Sequence, residues 1–260
     1  MAAVFGGVGV ALITLLGADG EIDPAATAKH AADLASRGMT AVLVCGTTGE
    51  AATLSEAERV MLIEAVRGAL PGSVPVIAGT GAPSARQAVT LTRTAVAAGA
   101  DAVLTWVPAG AGGPPSAAGL AGFYAGIAGA AGTRPVLAYH NPFISCAALP
   151  VADLGALPVA GLKDSSPSPD RLLDELASYP GDTYVGSAGF LALAGPLGAA
   201  GGLLALANLL PEECVAAFGG DYDAQRALAG AHLAVSRGGL PQLKRLLSDS
   251  AGLSPVSRVQ

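Results

Sequence analysis

A chain of 260 residues is close to the ~250 residues of a single (β/α)8 barrel, a size that is usually one domain. Apolar residues make up 52% and charged residues only 13%, so a core is easily filled and a lone monomer would expose apolar surface; a homo-oligomer, dimer or tetramer, is predicted. A net charge of −6 gives no footprint for nucleic acid or an anionic membrane.

Met1–Gly7 has no basic region, and the apolar run Val8–Ile13 is too short for a bilayer, which needs ~20 residues. Two long stretches lack charge, Ala102–Thr133 and Thr183–Pro211. Gly and Pro break both repeatedly, so they read as strand–loop–helix units and not as spanning helices. Cys45, Cys146 and Cys214 form no CxxC pair, and the three histidines are scattered. No metal site is expected, and the cysteines read as buried thiols in a reducing cytoplasm.

Strand-length apolar runs alternate with helical patterns throughout. The first run, Val8–Thr14, precedes a helix opened by Asp23-Pro24 and closed by Gly38. Ala41–Cys45 follows, then a helix with a Ser55/Glu58 capping box and Leu62, Val66 and Leu70 on one face. Val74–Ala78 leads to a Ser84/Gln87 capping box. Ala102–Val107, Pro135–His140, Val159–Asp164, Thr183–Gly186 and Gly202–Ala207 complete the strands, with Pro169, Gly189 and Pro211 opening the later helices. The runs are continuous and not alternating, as in parallel strands covered by helices. This predicts an α/β fold, a (β/α)8 TIM barrel over residues 1–220 with a short C-terminal helical extension over 221–260; an open doubly wound sheet uses the same units. Two helical patterns, Tyr222–Ser236 and Leu240–Ser248, fill the extension.

The lysines are Lys29, Lys163 and Lys244. Lys29 and Lys244 fall in the first and last helices and read as solvated surface. Lys163 ends the sixth strand, on the side of a barrel where active sites are built. An apolar barrel mouth disfavours an ammonium and leaves an amine able to attack a carbonyl. Position alone favours a lysine that reaches water or pairs with Asp164. Gly46-Thr47-Thr48-Gly49-Glu50, directly after the second strand, offers close backbone approach and two hydroxyls to an anion such as a carboxylate, or is an ordinary Gly-rich turn. Tyr139 ends the fifth strand, beside the lysine-bearing one, as a proton carrier or as a packed rim tyrosine.

Together these segments resemble the dihydrodipicolinate synthase/N-acetylneuraminate lyase family. The matching pieces are Gly46–Glu50, Pro75–Gly81, Tyr139 with Asn141-Pro142, Gly161-Leu162-Lys163-Asp164, and Gly201–Asn208 with Pro211, in the family's order from about Gly7 to about Phe218. The resemblance implies a class I aldolase or lyase on a (β/α)8 barrel, acting on pyruvate or a related 2-oxo acid, with no metal or organic cofactor. It implies that Lys163 forms the Schiff base, Tyr139 shuttles protons and Thr47 belongs to the hydroxyl relay. Thr48, Gly46, Gly49 and Leu203 would bind substrate.

The sequence departs from the synthases in four places. They carry a tyrosine after the fourth-strand proline, where this chain has Ala109-Gly110 after Pro108. They carry an arginine near Ile144, and no arginine lies here between Arg134 and Arg171. His140 follows the tyrosine where Asn is usual, and the tail is short for the family's three-helix extension. The expectation is therefore a lyase with a different aldehyde partner. A genuine dihydrodipicolinate synthase and a catalytically weak 2-oxo acid or sugar-acid binding paralogue are the alternatives. A barrel enzyme binding phosphate at Gly186–Gly189 and Gly201-Gly202 ranks last. Trp106, His140, Ser165, Ser166 and Ser187 are candidates for the aldehyde half of the pocket, or rim packing.

Overall fold

The computed structural model describes residues 3–108, 115–142 and 149–259. Eight parallel strands pair in chain order and close, β1 on β8. The strands are β1 (Gly7–Ala11), β2 (Val42–Val44), β3 (Val76–Gly79), β4 (Ala102–Thr105), β5 (Val136–His140), β6 (Gly161–Asp164), β7 (Asp182–Val185) and β8 (Gly201–Leu204). Each lies within or one residue beyond its predicted run. The longer apolar runs continue past β1, β4 and β8 into buried loop segments, because the rim is apolar as well. Closure rules out the open sheet.

Helices α1 (Pro24–Ser36), α2 (Glu56–Ala69), α3 (Ala85–Ala97), α4 (Ala117–Ala131), α5 (Val151–Leu154), α6 (Pro169–Ser178), α7 (Leu191–Ala194) and α8 (Pro211–Phe218) surround the strands. Their starts follow local chemistry. Asp23 caps Ala26 N–H ahead of Pro24, and Ser55 and Glu58 form the full reciprocal box. Ser84 accepts from Gln87 N–H at 3.2 Å, so only this half of the second expected box forms.

Alternate strand residues face the barrel axis or the helices. Ala11, Leu43, Ile77, Leu104, Leu137, Tyr139, Tyr184 and Leu203 form the inner core. Phe5, just before β1, stacks on Tyr184 at 4.4 Å between ring centroids and fills the N-terminal end. Val10, Val42, Val76, Leu162 and Val185 face outward into the helix layer.

Helix α9 (Tyr222–Ala251) joins the two helical stretches expected after the barrel, with a break at Gly239 (φ 63°, ψ −155°) before Pro241. Beyond the break it packs Leu243 and Leu247 on Ile13 and Leu15, just past β1. Lys244 corrects the reading of a solvated surface lysine. It is fully buried and bound to Glu50, because this face of α9 turns back onto the barrel mouth. Lys29 is exposed. Among the described residues, no helix is long and apolar enough to cross a membrane.

Candidate active site

Strand alternation decides what faces the cavity. On β6 it sends Leu162 and Asp164 outward and Lys163 inward. Tyr139 is the register partner of Lys163 on β5 and also points inward. Both side chains are buried, and Lys163 Nζ stands 4.9 Å from the Tyr139 ring centroid. Asp164, the alternative partner for Lys163, is occupied elsewhere. Its carboxylate accepts from Ser166 N–H at 2.8 Å and Ser166 Oγ at 2.7 Å.

Burial pushes the Lys163 amine below the usual lysine range, against an opposing pull from Tyr139. Burial alone would raise the Tyr139 phenol. The Lys163 charge and hydrogen bonds from Ser165, Asn141 and Thr47 outweigh it and bring the phenol down. Asn141 Nδ2 donates to the phenol oxygen at 2.8 Å and Ser165 Oγ at 3.4 Å.

The opposite wall is the turn after β2. Gly49 N–H donates to Gly46 O at 3.0 Å, Glu50 N–H to Thr47 O at 3.1 Å and Ala51 N–H to Gly46 O at 3.2 Å. The amides of Thr47 and Thr48 make no backbone bond among the described residues, and both residues line the cavity with Gly46. Two N–H groups without a backbone partner among the described residues, beside two hydroxyls, can receive an anion. Glycine is required in the wall beside the turn. A Cβ on Gly79 would stand 2.2 Å from Cys45 O, and one on Gly81 would stand 2.0 Å from Trp106 Nε1. Trp106 fills the space that Gly81 leaves and closes one side of the cavity.

Lys163, Tyr139, Thr47, Thr48 and Gly46 thus meet around one cavity, with Trp106 on its wall and Ser165 on the phenol. Gly49 lies behind the turn, where its O accepts from Thr14 Oγ1 at 2.7 Å. Leu203 belongs to the inner core with Tyr184 and is not part of the cavity lining. His140 and Ser166 lie on the outer side of the barrel wall with Asp164. Ser187 caps a 3-10 turn, Ala188–Phe190, in a separate cleft with His232. Ala109, Gly110, Ile144 and Cys146 lie outside the described residues. Asn141 was read only as part of the Asn-Pro motif; its place two residues after Tyr139 was the available signal for a shared face.

The Dihydrodipicolinate synthetase family profile matches residues 4–232. A 4-hydroxy-tetrahydrodipicolinate synthase of Pseudomonas savastanoi pv. phaseolicola is 36% identical over 229 residues, 84% of this chain and 77% of that protein. One from Synechococcus sp. (strain CC9902) is 42% identical over 138 residues, 53% of this chain and less than half, 45%, of that protein. A dihydrodipicolinate synthase structure from Acinetobacter baumannii, solved with pyruvate, superposes with a TM-score of 0.88 at 26% identity, covering 98% of this chain and 94% of the other. The chain belongs to the dihydrodipicolinate synthase/N-acetylneuraminate lyase family, and it is an enzyme of the lyase, class I aldolase type.

Behind the site, on the outer side of β5 and β6, a second polar group is buried. Arg171 Nε lies 2.8 Å from Glu175 Oε1 and 3.5 Å from Asp164 Oδ2, and Leu149 N–H donates to His140 Nδ1 at 3.4 Å. One guanidinium thus stands between two carboxyl groups. Burial, reinforced by the Asp164 charge and opposed by Arg171, pushes the fully buried Glu175 carboxyl up to about 8. The folded chain holds this proton at a pH where the unfolded chain has released it. Below the ordinary carboxyl range both states are protonated and the group imposes no penalty. Stability then falls as pH rises from about 4.5 to about 8, and is level above that. Glu175→Gln removes this slope. Melts of the two proteins across that range are expected to converge at acid pH and to favour the variant at pH 8; parallel curves would refute the assignment.

Proposed function

We propose that the chain is a Schiff-base lyase or aldolase acting on pyruvate or a related 2-oxo acid, with Lys163 as the nucleophile. The observation that carries this reading is a desolvated amine beside a phenol, facing an anion cradle across one cavity. The cradle of Thr47 and Thr48 holds the substrate carboxylate, which sets the 2-oxo carbon against Lys163 Nζ. The neutral amine adds to that carbon, and the carbonyl oxygen takes a proton from Tyr139. The nitrogen returns a proton to the Tyr139 phenolate, which passes it to the hydroxyl, so water leaves and an iminium remains; the phenolate then takes the C3 proton as the iminium draws off the C3–H bonding pair. The resulting enamine attacks an aldehyde carbon to form the C3–C4 bond; cleavage is the reverse. Because Asn141 donates to the Tyr139 oxygen, the phenol keeps its own proton for substrate.

The aldehyde half is a finer proposal. Among the described residues, Lys163 is the charged side chain lining the cavity. Arg134 pairs with Asp101, which immediately precedes β4, at the opposite end of the barrel. Arg171 is committed to Asp164 and Glu175. With Ile144 where the synthases carry arginine, an aldehyde bearing its own carboxylate lacks a cation, and a polyhydroxylated or uncharged aldehyde fits better. The relatives' names favour the second reading, a genuine 4-hydroxy-tetrahydrodipicolinate synthase. Two buried thiols support a reducing, cytoplasmic setting: burial pushes both Cys45 and Cys214 up to about 12. A dimer or tetramer is supported by exposed Leu193 on α7, Val215 on α8, and Tyr222 and Leu233 on α9, three helices packed together.

Pyruvate with borohydride should leave one irreversible adduct, mapped to Lys163 by peptide mass, and Lys163→Ala should abolish it. Tyr139→Phe should retain trapping and lower turnover about 10²–10⁴-fold. An adduct at Lys29 or Lys244, or none with any 2-oxo acid, defeats the reading. Aspartate semialdehyde should react with an efficiency well below ~10⁴ M⁻¹s⁻¹, beside a panel of 2-oxo-3-deoxy sugar acids and 4-hydroxy-2-oxo acids; a value at or above it establishes the synthase instead. Light scattering at micromolar concentration should return a dimer or tetramer, and a monomer mass rejects the assembly.

A further inference from the structure

Two non-glycine residues have positive φ among the described residues, Cys45 (55°) and Glu50 (58°). They bracket the turn that carries Thr47 and Thr48. Residues with a Cβ disfavour this conformation, and it persists only where the surroundings impose it. The surroundings of Glu50 come from the far end of the chain. Its carboxylate is turned away from the cavity and buried. Lys244 Nζ on α9 donates to Oε1. Oε2 accepts from Ser257 Oγ at 3.0 Å, Arg258 N–H at 2.7 Å and Val259 N–H at 3.1 Å.

The same tail is anchored on either side of the turn. Lys244 Nζ donates to Val256 O, 2.6 Å. The Arg258 guanidinium donates to Gly20 O at 2.8 Å and Thr53 O at 3.2 Å, and pairs with Glu58 at 2.7 Å. That ion pair holds the Glu58 carboxyl down to about 2. Glu50 does not line the cavity, yet it ends the turn whose Thr47 and Thr48 do.

We propose that the clamp of Glu50, Lys244 and Arg258 positions the carboxylate cradle: the tail holds Glu50 left-handed and so sets where the Thr47 and Thr48 amides and hydroxyls stand. These are positioning residues, and the proposal rests on the Schiff-base reading above. A misplaced cradle weakens the hold on the 2-oxo acid while Lys163 and Tyr139, on β6 and β5, keep their register. The clamp thus acts on substrate affinity and leaves the adduct-forming lysine in place.

The test is borohydride trapping on the full-length protein across a pyruvate titration, well below the melting temperature of every variant. For Lys244→Met, half-saturating pyruvate should rise about tenfold or more, because one buried charge is left without its partner. Trapping at saturating pyruvate should still map to Lys163. Arg258→Ala removes only the partly exposed anchor and should raise half-saturation several-fold, with Arg258→Lys recovering part of the shift. Should Lys244→Met fail to fold, the Arg258 pair decides. Folded variants whose half-saturation stays within twofold of the parent overturn the clamp, even if their melting temperatures fall. If the parent itself traps no 2-oxo acid at Lys163, the Schiff-base reading fails first and the clamp's role falls with it.

Discussion

Closure of eight parallel strands forces each residue to face either the barrel axis or the helices, and the site depends on that alternation. It separates neighbours in sequence completely. Tyr139 and Lys163 meet inside, while His140 and Asp164, one residue further along each strand, meet Arg171 and Glu175 outside. Without this separation Asp164 would stand beside Lys163 and hold it as an ammonium. With it, the opposite charge is kept on the far side of the wall, and burial can bring the amine down.

The inner face has no room to spare, so the cavity exists because particular positions carry no side chain. Gly79 lets the backbone of β3 pass Cys45 O, and Gly81 leaves room for the Trp106 indole. The Gly46 turn then brings amides to the opening, and its own bonds consume those of Gly49, Glu50 and Ala51. Among the described residues, the cavity is lined by Leu43, Leu104 and Trp106 together with the Gly46 turn and its two threonine hydroxyls, the Tyr139 phenol and the Lys163 amine. On the proposed reading, this suits a small 2-oxo acid.

Much of this was legible in the sequence, because it is local. Continuous apolar runs, caps at Asp23 and Ser55, and the strand-end positions of Tyr139 and Lys163 each follow from neighbours a few residues away. What escaped was long-range. Lys244 looked like a helix-surface lysine because nothing nearby announces Glu50, which lies 194 residues away in sequence. Glu50 itself looked like part of an anion-binding turn. Gly49 and Leu203 were named with the site because their segments match, and a match of segments does not say which side of a turn or wall a residue occupies. Asn141 was missed as a donor because a motif was read where a face should have been.

The pairing of Lys163 with Tyr139 pulls the phenol down and the amine up, yet both groups lie below their ordinary ranges. Burial opposes charge on either one. The ammonium favours a phenolate and the phenolate favours an ammonium, so each partner offsets part of the other's desolvation. For the amine the burial effect wins, and for the phenol the ammonium and three hydrogen-bond donors win. On the Schiff-base reading proposed above, a proton would pass between amine, phenol and a bound oxygen. A general acid–base needs that balance when it must give a proton to the departing oxygen and later take one back. Asn141 and Ser165 matter here because neither titrates: they steady the phenol oxygen without adding a charge that would pin the proton on the lysine.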